Sequence, residues 1–374
     1  MRKEQTLGEV LAAKGVSRRG FMKFVAATTS LIALPPSMIP RVAKALENAK
    51  RPSVIWLPFQ ECTGCTESIT RSHAPSLEGL IFDTISLDYK ETIMAASGHQ
   101  AEEALAEAMK DNYGKYVLAV DGSIPGKETE HFSCIGGRSN YDAFVEAAKG
   151  AAAIVCVGTC SAYGGIPAAK PNPTGALSVS EVLKIEGIDK PVINVPGCPP
   201  IPTAITGVIA QFLTFGTLPE LDHLGRPKAF YAQNIHDRCY RRPFYERGEF
   251  AETFDDEGAK KGWCLFKVGC KGPVTYNACS AVRWNEGLSF PIQSGHGCIA
   301  CSEDDFWDKG SFYDHLTTIR PPGLADLGIE GTATAAGVTA LAVTGAALAA
   351  HAALSALKQA RSPSRNDRIG SQVN

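Results

Sequence analysis

The sequence has no surplus of charge of either sign. Lys and Arg number 37 against 39 Asp and Glu, so the net charge at pH 7 is -2. This balance lacks the basic excess on which nucleic-acid binding depends, and we expect no nucleic-acid partner. Hydrophobic residues make up 44% of the 374 residues and charged residues only 20%, which excludes an intrinsically disordered chain. At about 150 residues per domain, the chain can fold into two or three domains with real cores.

Cysteine is too sparse for a small scaffold held together by disulfides, in which it exceeds about 8–10% of residues. The twelve cysteines are still many for a protein of this size. Their grouping along the chain, rather than their number, therefore indicates what these cysteines do.

The N-terminal segment has the layout of an export signal. Ser17 and the pair Arg18-Arg19 precede an apolar run from Phe24 to Leu34, and Ala43-Lys44-Ala45 follows as a small-residue cleavage site. This order is typical of a twin-arginine signal peptide. We expect residues 1–45 to be a twin-arginine signal peptide that directs the folded protein to the periplasm, with cleavage near Ala45.

The C-terminal segment contains an uncharged stretch, Gly331 to Leu357, whose only ionisable residue is His351. At ~1.5 Å per residue a helix over this stretch would cross a hydrocarbon core of ~30 Å. The tail 358–374 is basic and would stay in the cytoplasm. We therefore expect a transmembrane anchor over 331–357. Because Ala, Gly and Thr dominate this stretch, an alanine-rich surface helix or a linker is the alternative to a membrane span. We assign no role to His351.

Between these ends, residues 52–225 alternate short apolar runs with helical patterns, for example helices over 101–111 and 141–149. Such alternation predicts an α/β domain with a doubly wound parallel sheet. In such sheets, ligands bind beyond the carboxyl ends of the strands. The predicted strands are 53–57, 82–87, 116–120, 153–157 and 192–195.

The loops after three of these strands carry cysteines in place of a nucleotide motif. No Gly-x-Gly-x-x-Gly follows the first strand, so a dinucleotide would lack its phosphate site. The implied ligand is a metal centre. From 226 to 320 the periodicity fades, and Gly, Pro, aromatic and Cys residues dominate, which predicts an irregular second domain that chelation helps to hold together. The cysteines in the first-domain loops are Cys62, Cys65, Cys160 and Cys198.

The remaining ligand-like residues complete three sets. An iron-sulfur cluster needs three or four thiolates, and a Cys-x2-Cys pair supplies two from one turn of chain. Cys134 and Cys156 are left over; the second lies within an apolar strand and is expected to be a buried core residue. The sets are Cys62, Cys65, Cys160 and Cys198; then His236, Cys239, Cys264 and Cys270; and finally Cys279, Cys298 and Cys301.

Structural zinc and disulfides are the two alternatives for these cysteines. Neither accounts for the whole pattern. Disulfides need no histidine three residues before a cysteine, as in His236-x2-Cys239, and zinc sites pair two Cys-x2-Cys motifs, whereas Cys62 and Cys65 would recruit single cysteines from distant strands.

The same residues resemble the small, electron-transfer subunit of membrane-bound nickel-iron hydrogenases, from the signal to the C-terminal stretch. The resemblance implies a flavodoxin-like domain followed by the irregular iron-sulfur domain. It implies a proximal 4Fe-4S cluster on the first set, a distal 4Fe-4S cluster on the second and a medial 3Fe-4S cluster on the third. The motifs are Glu61-Cys62-Thr63-Gly64-Cys65, Gly158-Thr159-Cys160-Ser161, Pro196-Gly197-Cys198-Pro199-Pro200, His236-Asp237-Arg238-Cys239 and Gly297-Cys298-Ile299-Ala300-Cys301.

The resemblance also implies the partners. The nickel-iron centre would lie in a separate large subunit, forming a heterodimer that could pair into a dimer of heterodimers. Electrons would pass to a membrane cytochrome b or a quinone-linked subunit, with Arg238, Arg241 and Arg242 near the exit as steering charges or ordinary surface charges. Pro291 would stand where relatives with a medial 4Fe-4S cluster have a fourth cysteine. An iron-sulfur subunit of a different exported oxidoreductase stays as the alternative.

Overall fold

The computed structural model describes residues 6, 9, 17–31, 35–48, 51–73, 75–215, 217–316, 318–319, 327–328, 344, 348–355 and 357. The chain forms two compact units, residues 1–314 and residues 315–374. The parallel sheet and all twelve cysteines belong to the first unit.

The first unit is built on a five-stranded parallel sheet, in which the strands lie side by side in the order Ser86–Lys90, Ser53–Pro58, Val117–Asp121, Ala153–Val157 and Val192–Val195. The order is that of flavodoxin-like doubly wound sheets. The predicted α/β class with a parallel sheet is therefore confirmed. The strands are β1 (Ser53–Pro58), β2 (Ser86–Lys90), β3 (Val117–Asp121), β6 (Ala153–Val157) and β7 (Val192–Val195), while β4 (Cys134–Ile135) and β5 (Arg138–Ser139) form a short antiparallel hairpin.

Both faces of the sheet are buried, because alternate residues of each strand enter different cores. Ile55 and Leu118 pack on one face, and Val54 and Ala119 pack on the other. This explains why the strands appear in the sequence as continuous apolar runs rather than alternating ones. The edge that remains open for a ligand is the one at the carboxyl ends of the strands.

The second strand corrects one prediction. The sequence predicts a strand over 82–87, but Gly79–Thr84 forms a π-helix and the strand runs from Ser86 to Lys90. Thr84 Oγ1 donates to the Gly79 carbonyl at 3.0 Å, and Arg51 Nε donates to the Ile85 carbonyl at 2.9 Å. These side-chain contacts satisfy backbone groups locally, so the apolar run does not extend the strand.

Helices flank the sheet and precede it. The first two helices lie against the helix Pro202–Phe215, with Val25 and Val42 buried. The predicted cleavage site Ala43-Lys44-Ala45 falls within the helix Ile39–Asn48. The helices are α1 (Arg18–Leu31), α2 (Ile39–Asn48), α3 (Gly64–Thr70), α4 (His99–Asp111), α5 (Asn140–Gly150), α6 (Thr159–Tyr163), α7 (Val179–Glu186) and α8 (Pro202–Phe215).

From Arg226 onwards the first unit is irregular, as the sequence predicts, with four single-turn helices and several 3-10 turns. A third apolar cluster holds this region together, and three of its buried members are Cys270, Cys279 and Cys298. The helices are α9 (Lys228–Tyr231), α10 (Arg242–Glu246), α11 (Glu257–Lys260) and α12 (Cys279–Val282).

The second unit contains a short antiparallel pair, β8 (Thr318–Ile319) and β9 (Leu327–Gly328), and helical residues at 344, 348–355 and 357. Most of the predicted anchor, 331–357, lies outside the described residues. In the part of the chain that the structure describes, no helix is both long enough and apolar enough to cross a membrane.

Candidate iron-sulfur cluster sites

The proximal set meets at the carboxyl edge of the sheet. Cys62 and Cys65 follow β1, Cys160 lies in α6 directly after β6, and Cys198 follows β7. Burial raises the pKa of the Cys65 thiol well above its usual range, and the charges of Asp121 and of the other three cysteines act in the same direction. Four thiols from three loops are thus close enough to repel one another as thiolates, an arrangement that bound iron would reverse by deprotonating its ligands.

Two glycines leave space for the proximal thiols. Gly158 has a φ of +103°, and a Cβ there would overlap Cys65 Sγ. Gly165 has a φ of +65°, and a Cβ would lie 2.6 Å from Cys160 Sγ. Both positions exclude any side chain on two grounds, backbone conformation and contact with a cysteine. Glycine is therefore required at both positions because the cysteine thiols occupy the adjoining space.

The medial set lines a cavity of about 220 Å³. Cys279 begins α12, and Cys298 and Cys301 come from the loop that follows Ile292. Burial raises the pKa of Cys279 and Cys301 to about 12 each. Apolar walls with three inward thiols suit a group that is held by sulfur and shielded from water. Other residues along the cavity are Cys198, Trp284, Phe290, Pro291 and Ile292.

The distal set lies on the other side of the medial loop. Cys270 Sγ accepts a hydrogen bond from the backbone N–H of Cys298 at 3.3 Å. Burial raises the pKa of Cys264 to about 11, and the charges of Cys270 and Cys239 contribute in the same direction. His236 is in a 3-10 turn, where its ring contacts the Tyr245 ring edge-on at 4.6 Å between centroids. Burial lowers the pKa of His236, which favours the neutral ring that a metal needs.

Gly272 connects the histidine to this set. A Cβ on Gly272 would lie 3.5 Å from Cys270 Sγ and 3.8 Å from the backbone nitrogen of His236. The structure thus places the members of each of the three predicted sets near one another. Each set has donors of the right chemistry for an iron-sulfur cluster. The binding of a cluster at each set stays a prediction.

The two remaining cysteines lie apart from the sets. Cys156 is fully buried in β6, which confirms the prediction of a core residue. Cys134 is exposed in the hairpin, and its Sγ lies 3.7 Å from the Glu130 carbonyl oxygen. All twelve cysteines are described, and none forms a disulfide. Within the described ranges, no three His, Cys, Asp or Glu side chains are placed to hold a single metal ion.

A buried ion pair beside the proximal set was missed by the sequence reasoning. Lys90 Nζ lies 3.1 Å from Asp121 Oδ1, and both side chains are almost fully buried. Thr66, which follows Cys65, donates to Asp121 Oδ2 at 3.0 Å, and the Lys90 ammonium lies 4.8 Å from the Trp56 ring centroid. The available signal was a charged residue at the end of each of two strands, β2 and β3, that both pair with β1.

The arginines near His236 have their charges less available to a partner protein than the sequence suggests. Arg241 is buried, and its Nη1 donates to the Trp263 carbonyl at 2.7 Å. Arg242 forms ion pairs with Asp237 and Glu246 at 3.1 and 2.9 Å. Arg241 therefore cannot present its charge to a partner, while Arg242 lies at the surface with its charge partly balanced.

Two family models match the chain. Residues 231–314 match the model for the C-terminal region of the NiFe/NiFeSe hydrogenase small subunit, and residues 62–212 match the model described as NADH ubiquinone oxidoreductase, 20 Kd subunit. The uptake hydrogenase small subunit of Azotobacter vinelandii is 51% identical over 359 residues, which are 96% of this chain and 98% of that protein. The protein of the same name from Cupriavidus necator is 51% identical over 368 residues, which are 98% and 99% of the two chains.

Solved structures agree with these relatives. A [NiFeSe]-hydrogenase chain from Desulfomicrobium baculatum superposes with a TM-score of 0.67 and 38% identity over 71% of this chain and 99% of that one. An actinobacterial-type NiFe-hydrogenase chain from Ralstonia eutropha H16 gives a TM-score of 0.64 and 25% identity over 78% and 88%. The resemblance predicted from the motifs is confirmed: the chain belongs to the family of NiFe hydrogenase small subunits, which are subunits of oxidoreductases.

Proposed function

We propose that this chain relays electrons, one at a time, between the nickel-iron centre of a large subunit and an acceptor at the membrane. The observation that carries the proposal is that the three sets follow one another in contact. Cys198 of the proximal set lines the cavity of the medial set, and Cys298 of the medial set donates to Cys270 of the distal set. Bound to these residues, two 4Fe-4S clusters and one 3Fe-4S cluster would supply reversible one-electron chemistry.

The proximal end is the side for the large subunit. Cys62 and Cys198 are exposed, whereas Cys279 and Cys298 are buried. A cluster held by exposed thiolates would meet water unless a second protein covers it. A hydrogenase large subunit, which would hold the nickel-iron centre, is the partner that this edge fits, in a heterodimer.

The distal end is the side for the electron acceptor. Its histidine replaces a thiolate with a neutral ligand, which makes a bound cluster less negative and raises its potential. A membrane cytochrome b or a quinone-linked subunit would receive the electron there. The direction we propose is hydrogen oxidation, in agreement with the name uptake hydrogenase that relatives carry.

The proposed location is the periplasmic face of the cell membrane. The pair Arg18-Arg19 begins α1, and Ser17 Oγ accepts a hydrogen bond from the Gly20 N–H at 3.1 Å. Leu348, Leu354 and Leu357 are exposed, as expected of side chains that would contact lipid in a membrane. Residues 1–45 would act as the export signal and 331–357 as the anchor.

Metal analysis combined with hydrogen-driven dye reduction by the membrane complex tests the function. The wild-type complex should contain nickel and iron and reduce the dye. Cys298→Ser should lower both iron content and dye reduction, because it removes a buried ligand, whereas the control Cys134→Ser removes an exposed thiol outside the sets and should change neither. A wild-type complex without iron, or equal activity in both variants, would refute the proposal.

A further inference from the structure

One buried hydroxyl joins the proximal loops to the medial loop. Thr159 directly precedes Cys160 and is 1% exposed. Its Oγ1 donates a hydrogen bond to the carbonyl oxygen of Cys301 and accepts one from the N–H of Gly197 at 2.9 Å. The Thr159 N–H in turn donates to the Gly197 carbonyl at 3.0 Å. Donor and acceptor capacity of the hydroxyl are both used, so its orientation is fixed.

The residue that carries this hydroxyl and the hydroxyl's two partners all lie at cysteines of the sets. Thr159 is bonded to Cys160, Gly197 is bonded to Cys198, and the accepting carbonyl belongs to Cys301 itself. A continuous path therefore runs from Cys160 through the Thr159 side chain to Cys301, and a single hydrogen bond is its one non-covalent step. The corresponding link between the medial and distal sets needs no bridging side chain, because the backbone N–H of Cys298 donates directly to Cys270 Sγ.

We propose that the Thr159 hydroxyl is the bridge that couples the proximal and medial sites for electron transfer, a role that rests on the function proposed above. Thr159 acts as a positioning residue and keeps its proton throughout. With clusters bound, one electron would leave the proximal site, which would be oxidised, and reach the medial site, which would be reduced, so no bond would form or break. Tunnelling decays less steeply through bonded atoms than across a gap, and removing the bridge slows the step.

A second link between the two sites limits the expected effect. The Cys198 backbone forms a hydrogen bond with the Cys301 thiol. This bond lowers the pKa of the thiol, although burial outweighs it and raises the pKa to about 12. This contact leaves a parallel path when the hydroxyl is absent. Loss of the Thr159 hydroxyl should therefore slow the step by roughly tenfold, the lower end of the effect that hydrogen-bond partners of metal ligands have on activity, rather than abolish it.

The test measures the proximal-to-medial step in the loaded complex. Oxidised complex is mixed with hydrogen and frozen at millisecond intervals, and paramagnetic resonance follows the reduction of the medial site. Thr159→Val should slow this reduction roughly tenfold at unchanged iron content and unchanged dipolar coupling between the two sites. Thr159→Ser keeps the hydroxyl and should restore the wild-type rate.

Thr206→Val is the matched control, because Thr206 is equally buried and its hydroxyl donates to the Pro202 carbonyl at 3.2 Å instead of to a cysteine. It should leave the rate unchanged. Equal rates in Thr159→Val and wild type, or a slow Thr159→Ser, would overturn the bridge alone, whereas a wild-type complex without iron-sulfur signals would overturn the proposed function. If Thr159→Val does not load, Thr159→Ala replaces it. Failure of both to load while Thr159→Ser loads would assign the hydroxyl to assembly and overturn its role in transfer.

Discussion

Lys90 shows how a single residue is tied to the proximal site. Its ammonium is buried against Trp56 and pairs with Asp121, whose charge acts in turn on Cys65. A charge without its partner is far more costly in such a place than the pair itself, because neither water nor a counterion can reach it. The pair therefore has to be retained or lost as a unit.

Lys90→Met should destabilise the protein by about 3–5 kcal/mol, since Asp121 is left buried without its cation. The midpoint of chemical denaturation of the complex measures this change. Lys261→Met is the control, because Lys261 forms an exposed ion pair with Glu257 at 3.3 Å and should shift the midpoint little. Equal shifts in the two variants would show that the buried pair contributes no more than a surface pair.

Pro291→Cys should convert the medial site. Pro291 lines the same cavity as Cys279, Cys298 and Cys301, so a thiol at this position would face the ligand space. The oxidised wild type should show the paramagnetic resonance signal of a 3Fe-4S cluster, and the variant should lose it by forming a 4Fe-4S site. Pro291→Ala, which removes the ring without adding a thiol, should keep the signal. An undiminished signal in Pro291→Cys would contradict the prediction.

At the scale of elements, the strand-loop-helix unit β6-α6 fixes the proximal site through Gly158. Gly158→Ala should prevent loading of the proximal cluster, because the new Cβ would occupy the space of Cys65 Sγ. Iron analysis should show the loss of one cluster per chain. The control is Gly187→Ala, which also has a positive φ, at +64°, but has no atom within 4 Å of its Cβ. Full loading is expected there; equal iron loss would point to strain rather than contact.

The sequence predicted elements well where burial alone decides them. β6 and β7 run over the predicted residues, because continuous apolar runs favour strands buried on both faces. The strand predicted over 82–87 begins only at Ser86, as β2, since Arg51 donates hydrogen bonds to the backbone carbonyls of Ile81 and Ile85 just before it, a contact that no local pattern reveals. For the same reason Lys90 and Thr159 were missed: their partners are distant in sequence and depend on the folded topology.

At the scale of the whole molecule, the division after Asp314 predicts a separable tail. Truncation after Arg320 should leave a complex that still reduces dye with hydrogen, because the sheet and all three cysteine sets lie within residues 1–314. The truncated complex should also leave the membrane fraction. Fractionation with salt washing, alongside the dye assay, measures both outcomes. Retention in the membrane would place the anchor in a different polypeptide, and loss of dye reduction would give the tail a part in catalysis.

The loop that carries Cys298 has a consequence for how the protein matures. Its N–H donates to Cys270, and its carbonyl accepts a hydrogen bond from the Lys271 N–H at 2.7 Å, so this one residue is tied in both directions to the distal segment. Filling either site would order a backbone segment that both sites share. Cofactor insertion should therefore be all-or-none across these two sites, and partly matured chains should be either empty or full at both.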